Sequence, residues 1–462
     1  MTRLAALVRH PLSLAGAVIA TASGIAFLVF TAASITGLVD NPYGGIVLFV
    51  VLPLFLVLGL LLIPAGIWLA RRQRRADWSS EDWPVLDFRV PHVRQTALVI
   101  AALTIVNVVI VLLGAFGSIH AMESPKFCGA ACHTPMEPQF VAWSAGPHSG
   151  TACVQCHIGE GPKAFVHAKL AGVRQLVHVA TNSYARPTPP GAEMPPGAQA
   201  GTCVTCHRPP HPSTDRFHVT REFADDEANS ETTTTLQMRM SAIHWHADPA
   251  TRVEYVATDE AKETIPYVKV TRSNGEVREF FTADADQRTT RAATRRTMDC
   301  VDCHNTVGHP IAATAEQAVD RAMAAGQISR SLPYARREGV RLMKSSYATA
   351  DEASGAIARE FHGFYKAQGR TVDEKEVTRT VATLQALYRG NVFPAMKVTW
   401  GSYPDNRGHL TSTGCFRCHD GSHADASGAT ISAECDLCHK DTSPALYDAT
   451  ATAGSVASLH PR

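Results

Sequence analysis

Twelve cysteines fall into six close pairs, and a histidine follows the second member of every pair. Five read C-x-x-C-H: Cys153/Cys156/His157, Cys203/Cys206/His207, Cys300/Cys303/His304, Cys415/Cys418/His419 and Cys435/Cys438/His439. The first in the chain, Cys128/Cys132/His133, has three residues between its cysteines. Two thioethers must reach the two vinyl groups on one edge of a porphyrin while the adjacent imidazole reaches the iron. This short spacing with an immediate histidine meets that geometry. Zinc ribbons use C-x-x-C pairs but need no histidine after each, and a thioredoxin-like site needs a single pair. No cysteine is left over for a disulfide. The motifs therefore predict six covalently bound haem c groups, with His133, His157, His207, His304, His419 and His439 as proximal ligands.

The chain has 21 histidines, so second axial ligands are in surplus. The best placed are His148 just before the second motif, His244 and His246 flanking Trp245, His309 five residues after a proximal histidine, and His409 and His423 on either side of the fifth motif. Each competes with a solvated or capping role. Met136, three residues after His133, offers a soft thioether to the first iron or is an ordinary core methionine.

These sites need a carrier, and the chain supplies one that is uneven. Residues 1–122 hold eight basic and five acidic residues, and three stretches there lack any charge: Leu12 to Val39, Pro42 to Ala70 and Thr96 to Ile119. Each is long enough for a bilayer-crossing helix of about 20 apolar residues and longer than a signal-peptide core. Six arginines from Arg71 to Arg94 separate the second run from the third, and Arg3 and Arg9 precede the first. The turn at Asp40 to Pro42 has no basic residue. By the positive-inside rule the N-terminus and the Arg71 loop are predicted inside, and three crossings put everything after Ile119 outside, in the oxidising compartment. With 43 Lys and Arg against 42 Asp and Glu, no basic excess points to nucleic acid.

The predicted fold class is a membrane-anchored multihaem cytochrome c: three N-terminal transmembrane helices, then a mainly α or irregular haem domain with a small β-hairpin insertion. Val253 to Val256 and Thr264 to Thr282 are rich in Val, Thr, Tyr and Phe around the turn Ser273 to Glu276, which predicts the hairpin. From Ile311 to Tyr388 apolar residues recur at helical spacing, for instance Val377, Val381, Leu384 and Leu387, which predicts three or four helices. The Pro-rich run Arg186 to Ala198 reads as a linker or strap. The expected divisions are a membrane domain at 1–122, a three-haem region at 123–210, the hairpin and fourth haem at 211–310, a haem-free helical segment at 311–393, a dihaem region at 394–443, and a mobile tail at 444–462.

Residues 127–207, with FCGAACHTPM, the segment Trp143 to His148, CVQCH, GPKAFVHAKLAGVRQ and CVTCH, resemble the NapC/NirT family of membrane-anchored multihaem cytochromes. The three-span layout, IHWH at 243–246 and NVFPAMKVTW before the paired C-terminal motifs look more like the longer inner-membrane cytochromes of metal-reducing bacteria than the short one-span members. The resemblance implies a quinol dehydrogenase of the bacterial inner membrane, multi-pass, with the haem domain facing the periplasm. It implies that quinol, drawn from the membrane pool, binds beside the first haem with a lysine near the ring, for which Lys169 is the match. It also allows Met136 to replace a histidine at that haem. Short members follow the lysine with G-x-x-D, where this chain has Gly172-Val173-Arg174-Gln175, so the proton acceptor differs and Arg174 and Gln175 enter the candidate set.

The residues themselves point the same way. A membrane anchor plus six haems means electron transfer, because the cofactors carry the redox chemistry and the protein sets their order. The first motif begins shortly after the third apolar run, within reach of a lipid-soluble donor. A periplasmic c-type cytochrome or reductase is the expected acceptor, and a homo-oligomer or larger membrane complex is compatible with the chain. Two other readings are a terminal multihaem reductase with an open haem iron and a haem-bearing sensor or scaffold. The histidine surplus argues against the first, and three spans without a recognisable cytoplasmic output domain are poor support for the second. The intact mass is expected to exceed the polypeptide by six covalent haems. A mass gain of five would single out the irregular Cys128/Cys132 motif.

Overall fold

The charge-free runs form helices. In the computed structural model, which describes residues 10–35, 47, 51–73, 89–131, 133–158, 161–189, 198–207, 214–369 and 371–441, the chain divides into two units, 1–133 and 134–462. Cys132, the Asp40 turn, most of the Arg71 to Arg94 loop, most of the Pro-rich run and the 444–462 tail lie outside the described residues.

In the first unit, α1 (Pro11–Ile35) and α2 (Leu52–Gln73) pack against each other, and α3 (Pro91–Met122) follows. Glycines allow the close approach of α1 and α2: a Cβ on Gly59 would lie 2.6 Å from the Ala20 backbone nitrogen, and one on Gly16 would lie 2.7 Å from the Gly59 carbonyl. Small residues at such contacts let membrane helices meet backbone to backbone. Their other faces carry exposed Leu14, Val18, Ile25, Leu54, Leu58 and Leu61, an apolar exterior suited to lipid. Two described helices, over Pro11–Phe30 and Leu52–Ala70, are long and apolar enough to cross a membrane, where three were expected. The third run falls inside α3, whose apolar stretch among the described residues is Leu112–Met122. That stretch counts only residues whose side chains are described; the helix itself runs over 32 residues.

The second unit mixes helix and strand. Its haem-motif helices are α5 (Cys153–His157) and α7 (Ala198–Cys206), preceded by α4 (His133–Ala145) and separated by α6 (Pro162–Ala180). Strands β1 (Arg216–Phe223) and β2 (Glu231–Met238) pair in antiparallel register, Arg216 opposite Met238, and β2 also pairs with β7 (His439–Asp441). A second antiparallel sheet has the order β5-β4-β3-β6, from β3 (Thr251–Val256), β4 (Tyr267–Arg272), β5 (Val277–Phe281) and β6 (Arg296–Thr297). The expected hairpin is β4–β5, with Gly275 at φ +85° in its turn, a conformation that favours glycine.

The expectation of one small hairpin in a mainly helical domain is thus too low in β structure: the hairpin belongs to a four-stranded sheet, and a separate sheet stands beside it. The β1–β2 pair escaped a sequence reading because β1 is largely exposed and β2 begins with Glu231 and four consecutive threonines, which give no apolar alternation over most of its length. Its connecting residues, Ala224 to Ser230, also contain neither glycine nor proline.

Four helices fill the haem-free segment: α11 (Ala315–Ala324), α12 (Ala335–Lys344), α13 (Ala350–Ala367) and α14 (Glu374–Asn391), following α8 (Met240–Ile243), α9 (Gln287–Ala292) and α10 (Cys300–Cys303) earlier in the chain. Thr314, Thr349 and Asp373 cap α11, α13 and α14, each side chain accepting from a first-turn backbone N–H, the usual device for an orphaned helix donor. Their apolar faces close over Val319, Met323, Leu342, Ile357, Phe361 and Leu384. Phe361 is fully buried and meets Tyr365 edge to face at 5.3 Å. Phe361→Ala is expected to remove about 3–5 kcal/mol from this core. Amide hydrogen exchange over 315–391 should accelerate accordingly, while the visible spectrum stays unchanged.

Candidate haem centres

The fold brings five proximal histidines each against one distant imidazole. His157 faces His309 with ring centres 5.9 Å apart and planes at 16°. His244 faces His304 at 6.4 Å and 12°, and His409 lies 6.3 Å from His439 at 30°. The other two pairs are crossed: His148 and His207 at 6.1 Å and 67°, His246 and His419 at 5.8 Å and 87°. Each pair joins a motif histidine to one of the surplus histidines.

The sheets and turns explain how. His439 opens β7, which β2 holds through the Met238–His439 pairing. Just beyond β2, the four-residue 3-10 turn His244–Ala247 carries two of the distal rings. Strand β6 leads into the fourth motif, where Asp299 caps α10 by accepting from the Val301 backbone N–H at 3.0 Å.

Ring protonation fits metal binding. His148, His246 and His419 each donate Nδ1–H to a backbone carbonyl, of Val307 at 3.1 Å, Ile243 at 2.9 Å and Ser432 at 2.8 Å respectively. In a neutral ring that assigns the lone pair to Nε2, the tautomer an iron requires. Burial, reinforced by His157, pushes His309 down to about 4. Burial also lowers His246 and His304. Neutral imidazole is the ligating form.

Successive motifs also adjoin. Cys203 is within electrostatic reach of Cys300, Cys156 of Cys206, Cys303 of Cys415, and Cys415 of Cys438. Burial raises Cys303 to about 11 and Cys418 to about 12, so these thiols are protonated until they are alkylated. The second to sixth motifs thus follow one another in space in the order of the chain.

Residues 90–189 match the N-terminal region of the NapC/NirT cytochrome c family. Over 453 residues the chain is 35% identical to the cytochrome c-type protein ImcH of Geobacter sulfurreducens, covering 93% of this chain and 87% of the relative. The chain belongs to the NapC/NirT family of c-type cytochromes. No solved structure matches it. Family membership makes haem c, covalently bound, the cofactor of this membrane-anchored cytochrome, and electron transport its role. The paired residues fit that cofactor. The imidazole pairs, with centres 5.8 to 6.4 Å apart, would hold a haem iron between two ring nitrogens and supply it with nitrogen ligands.

Among the histidines expected as distal ligands, His423 is engaged differently. It is 1% exposed, its Nε2–H donates to the Ile265 carbonyl at 2.6 Å, and its Nδ1 meets the Asp420 carboxylate at 3.1 Å. A carbonyl only accepts, so Nε2 carries a proton and offers no lone pair. His423 anchors the loop after the fifth motif to the strand-bearing core. The sequence placed it as close to a motif as His409, and only its neighbours distinguish the two. At the first motif, Cys132 and the His133 side chain lie outside the described residues. Cys128 sits in the short π-helical turn Phe127–Ala131, and Met136 is half-buried in α4.

Lys169, Arg174 and Gln175 share α6 with an exposed apolar stripe, Val166, Leu170, Val173 and Val177. The helix contains no acidic residue. Lys169 is half-buried, whereas Arg174 and Gln175 are exposed. The sequence reading overlooked one further group, the buried polar side chains Asp302, Arg417, Tyr255 and Asn406 around the fourth and fifth motifs. A charged residue inside each of two motifs was the available signal. His309→Ala is expected to open one of six irons to carbon monoxide with the haem count unchanged, and His423→Ala to open none. Difference spectra of the dithionite-reduced protein measure both.

Proposed function

We propose that this cytochrome oxidises quinol at a bacterial inner membrane and passes the electrons, through six haems, to a periplasmic c-type cytochrome or reductase. The observation that carries the reading is the spatial succession of the second to sixth motifs, each adjoining the next in chain order, with an imidazole pair at each. Such a row suits a conduit. It disfavours an open-iron reductase at those five sites, because both axial positions have a partner. In this reading the apolar run in α3 is a third span, the basic N-terminus and Arg71 loop are cytoplasmic, and 123–462 lies in the periplasm.

Oxidising a quinol releases two protons and two electrons, so a donor site needs a one-electron acceptor and groups that hold the quinol oxygens and take up protons. Haem c supplies the one-electron steps. The chain supplies the rest: α6 carries an exposed apolar stripe of a kind that suits an isoprenoid tail, and Lys169 stands next to Leu170 in the same helix. An ammonium there donates to a quinol oxygen and favours the anion that forms as the proton leaves. With no aspartate in the family's usual position, Gln175 can only hydrogen-bond. Arg174 remains charged and adds positive potential without accepting a proton. His167 or His178 of the same helix, water, or a group outside α6 then takes the proton.

A charged hydrogen bond of this kind contributes about 1–3 kcal/mol. Lys169→Ala is therefore expected to slow reduction by a quinol analogue by about 5-fold to 150-fold, with dithionite reduction and the haem spectrum unchanged. Stopped-flow reduction in detergent checks this, and unaltered quinol kinetics would remove Lys169 from the site.

A further inference from the structure

The turn His244–Ala247 has the sequence HWHA and holds two imidazoles that serve different proximal histidines, His304 and His419. With three residues per 3-10 turn, positions two apart point in directions about 120° different, so the two rings diverge. Trp245 lies between them, edge-on to His246 at 5.7 Å.

The same two motifs are joined again on their proximal side. Arg417, inside C-F-R-C-H, is 8% exposed, and Asp302, inside C-V-D-C-H, is 3% exposed. The Arg417 guanidinium donates to the Asp302 carbonyl at 2.8 Å, to the Gly414 carbonyl at 2.8 Å and to the Lys262 carbonyl at 3.2 Å. Asn406 donates to the same Asp302 carbonyl at 3.1 Å. The Asp302 carboxylate accepts from the Tyr255 hydroxyl at 2.6 Å, from the Lys262 ammonium at 3.5 Å and from the Asp299 backbone N–H at 2.9 Å. Residues inside an attachment motif take no part in thioether formation. Buried charges are tolerated only when every polar atom is engaged. A nearly saturated network at this position therefore ties one loop to the other.

We propose that the fourth and fifth sites form a single clasped dihaem unit. His244 is the distal ligand of the haem on Cys300 and Cys303, and His246 that of the haem on Cys415 and Cys418. The Arg417–Asp302 contact locks the two proximal loops together. The inference rests on the reading of these motifs as haem sites. It adds that two ligands from one turn and one guanidinium fix the separation of two neighbours in the conduit, so that electron exchange between them is insensitive to movement elsewhere in the domain.

The test uses the full-length protein, purified in detergent with its haems attached, as His244→Ala, His246→Ala and the double variant. Intact mass counts the haems; low-temperature magnetic circular dichroism and EPR of the oxidised protein count low-spin and high-spin irons. All six haems are expected to remain attached, each single variant converting one iron in six to high spin and the double variant two. The angle between axial imidazole planes governs the anisotropy of a low-spin ferric signal. His246→Ala should therefore delete a signal of the crossed type and His244→Ala one of the near-parallel type. A double variant that converts only one iron, or singles that convert none, overturns the assignment. Absence of covalent haem at Cys300 or Cys415 in the unsubstituted protein overturns the reading of the motifs instead, and intact mass of proteolytic fragments separates that failure from the first. For the clasp, Arg417→Met, which removes every donor, should alter the signal that His244→Ala deletes, although Arg417 belongs to the neighbouring motif. Arg417→Lys, which retains a donor for the Asp302 carbonyl, should restore it. A change confined to the signal that His246→Ala deletes overturns the clasp.

Discussion

In the proposed reading, a haem held by two thioethers and the adjacent histidine has one face of its iron open, and a low-spin conduit site needs a residue from elsewhere in the chain to meet it. That single requirement organises the second unit of this cytochrome. A motif can be built from five consecutive residues, but its sixth ligand is a tertiary contact, and the protein must fold to deliver a neutral imidazole about 6 Å from the proximal ring. The five pairs at 5.8 to 6.4 Å satisfy it. The sheets, turns and capped helices are the means. Strand β2 holds His439 from one side, and the turn after it delivers His244 and His246.

The apolar cores lie where this requirement does not reach. One closes among α11 to α14 around Phe361 and Leu384, and another lies under the four-stranded sheet around Tyr255 and Val268. The motif regions are instead loops and single turns with few apolar contacts of their own. Rigidity comes to them by attachment to these cores: Tyr255 carries its hydroxyl to Asp302, and His423 fastens the loop after the fifth motif to Ile265. Arg336 does the same between the helices and the loop joining β1 to β2, bonding Asp320 at 3.0 Å and Asp225 at 2.8 Å.

What could be read without coordinates follows this division. The attachment cysteines and proximal histidines are local, so adjacent letters in the sequence state them. The helical segment was legible because Val377, Val381 and Leu384 repeat with the helix period, and the β4–β5 hairpin because Asn274-Gly275 marks its turn. Distal ligands are not local, and proximity to a motif ranked His423 equally with His409. Only the carbonyl of Ile265, contributed from another part of the chain, separates them. The β1–β2 pair was hidden because a strand such as Glu231 to Met238, with four consecutive threonines, shows no apolar alternation over most of its length. The clasp at Arg417 was hidden because a charge inside a motif has meaning only once its partner is known.

The pairing of His157 with His309 also has a meaning in time. The two residues belong to the second motif and to the segment after the fourth, so the cysteines that bind a haem emerge well before the imidazole that closes its far face. A chain delivered N-terminus first would carry that haem with one axial position exchangeable until the later segment arrived. By contrast, the fourth and fifth haems would find His244 and His246 already made. Assembly of such a protein is then not a uniform sequence of identical events: four of the five paired sites would have both imidazoles at attachment, while the second would wait, and that one is where a maturation factor or a premature oxidant would find open iron.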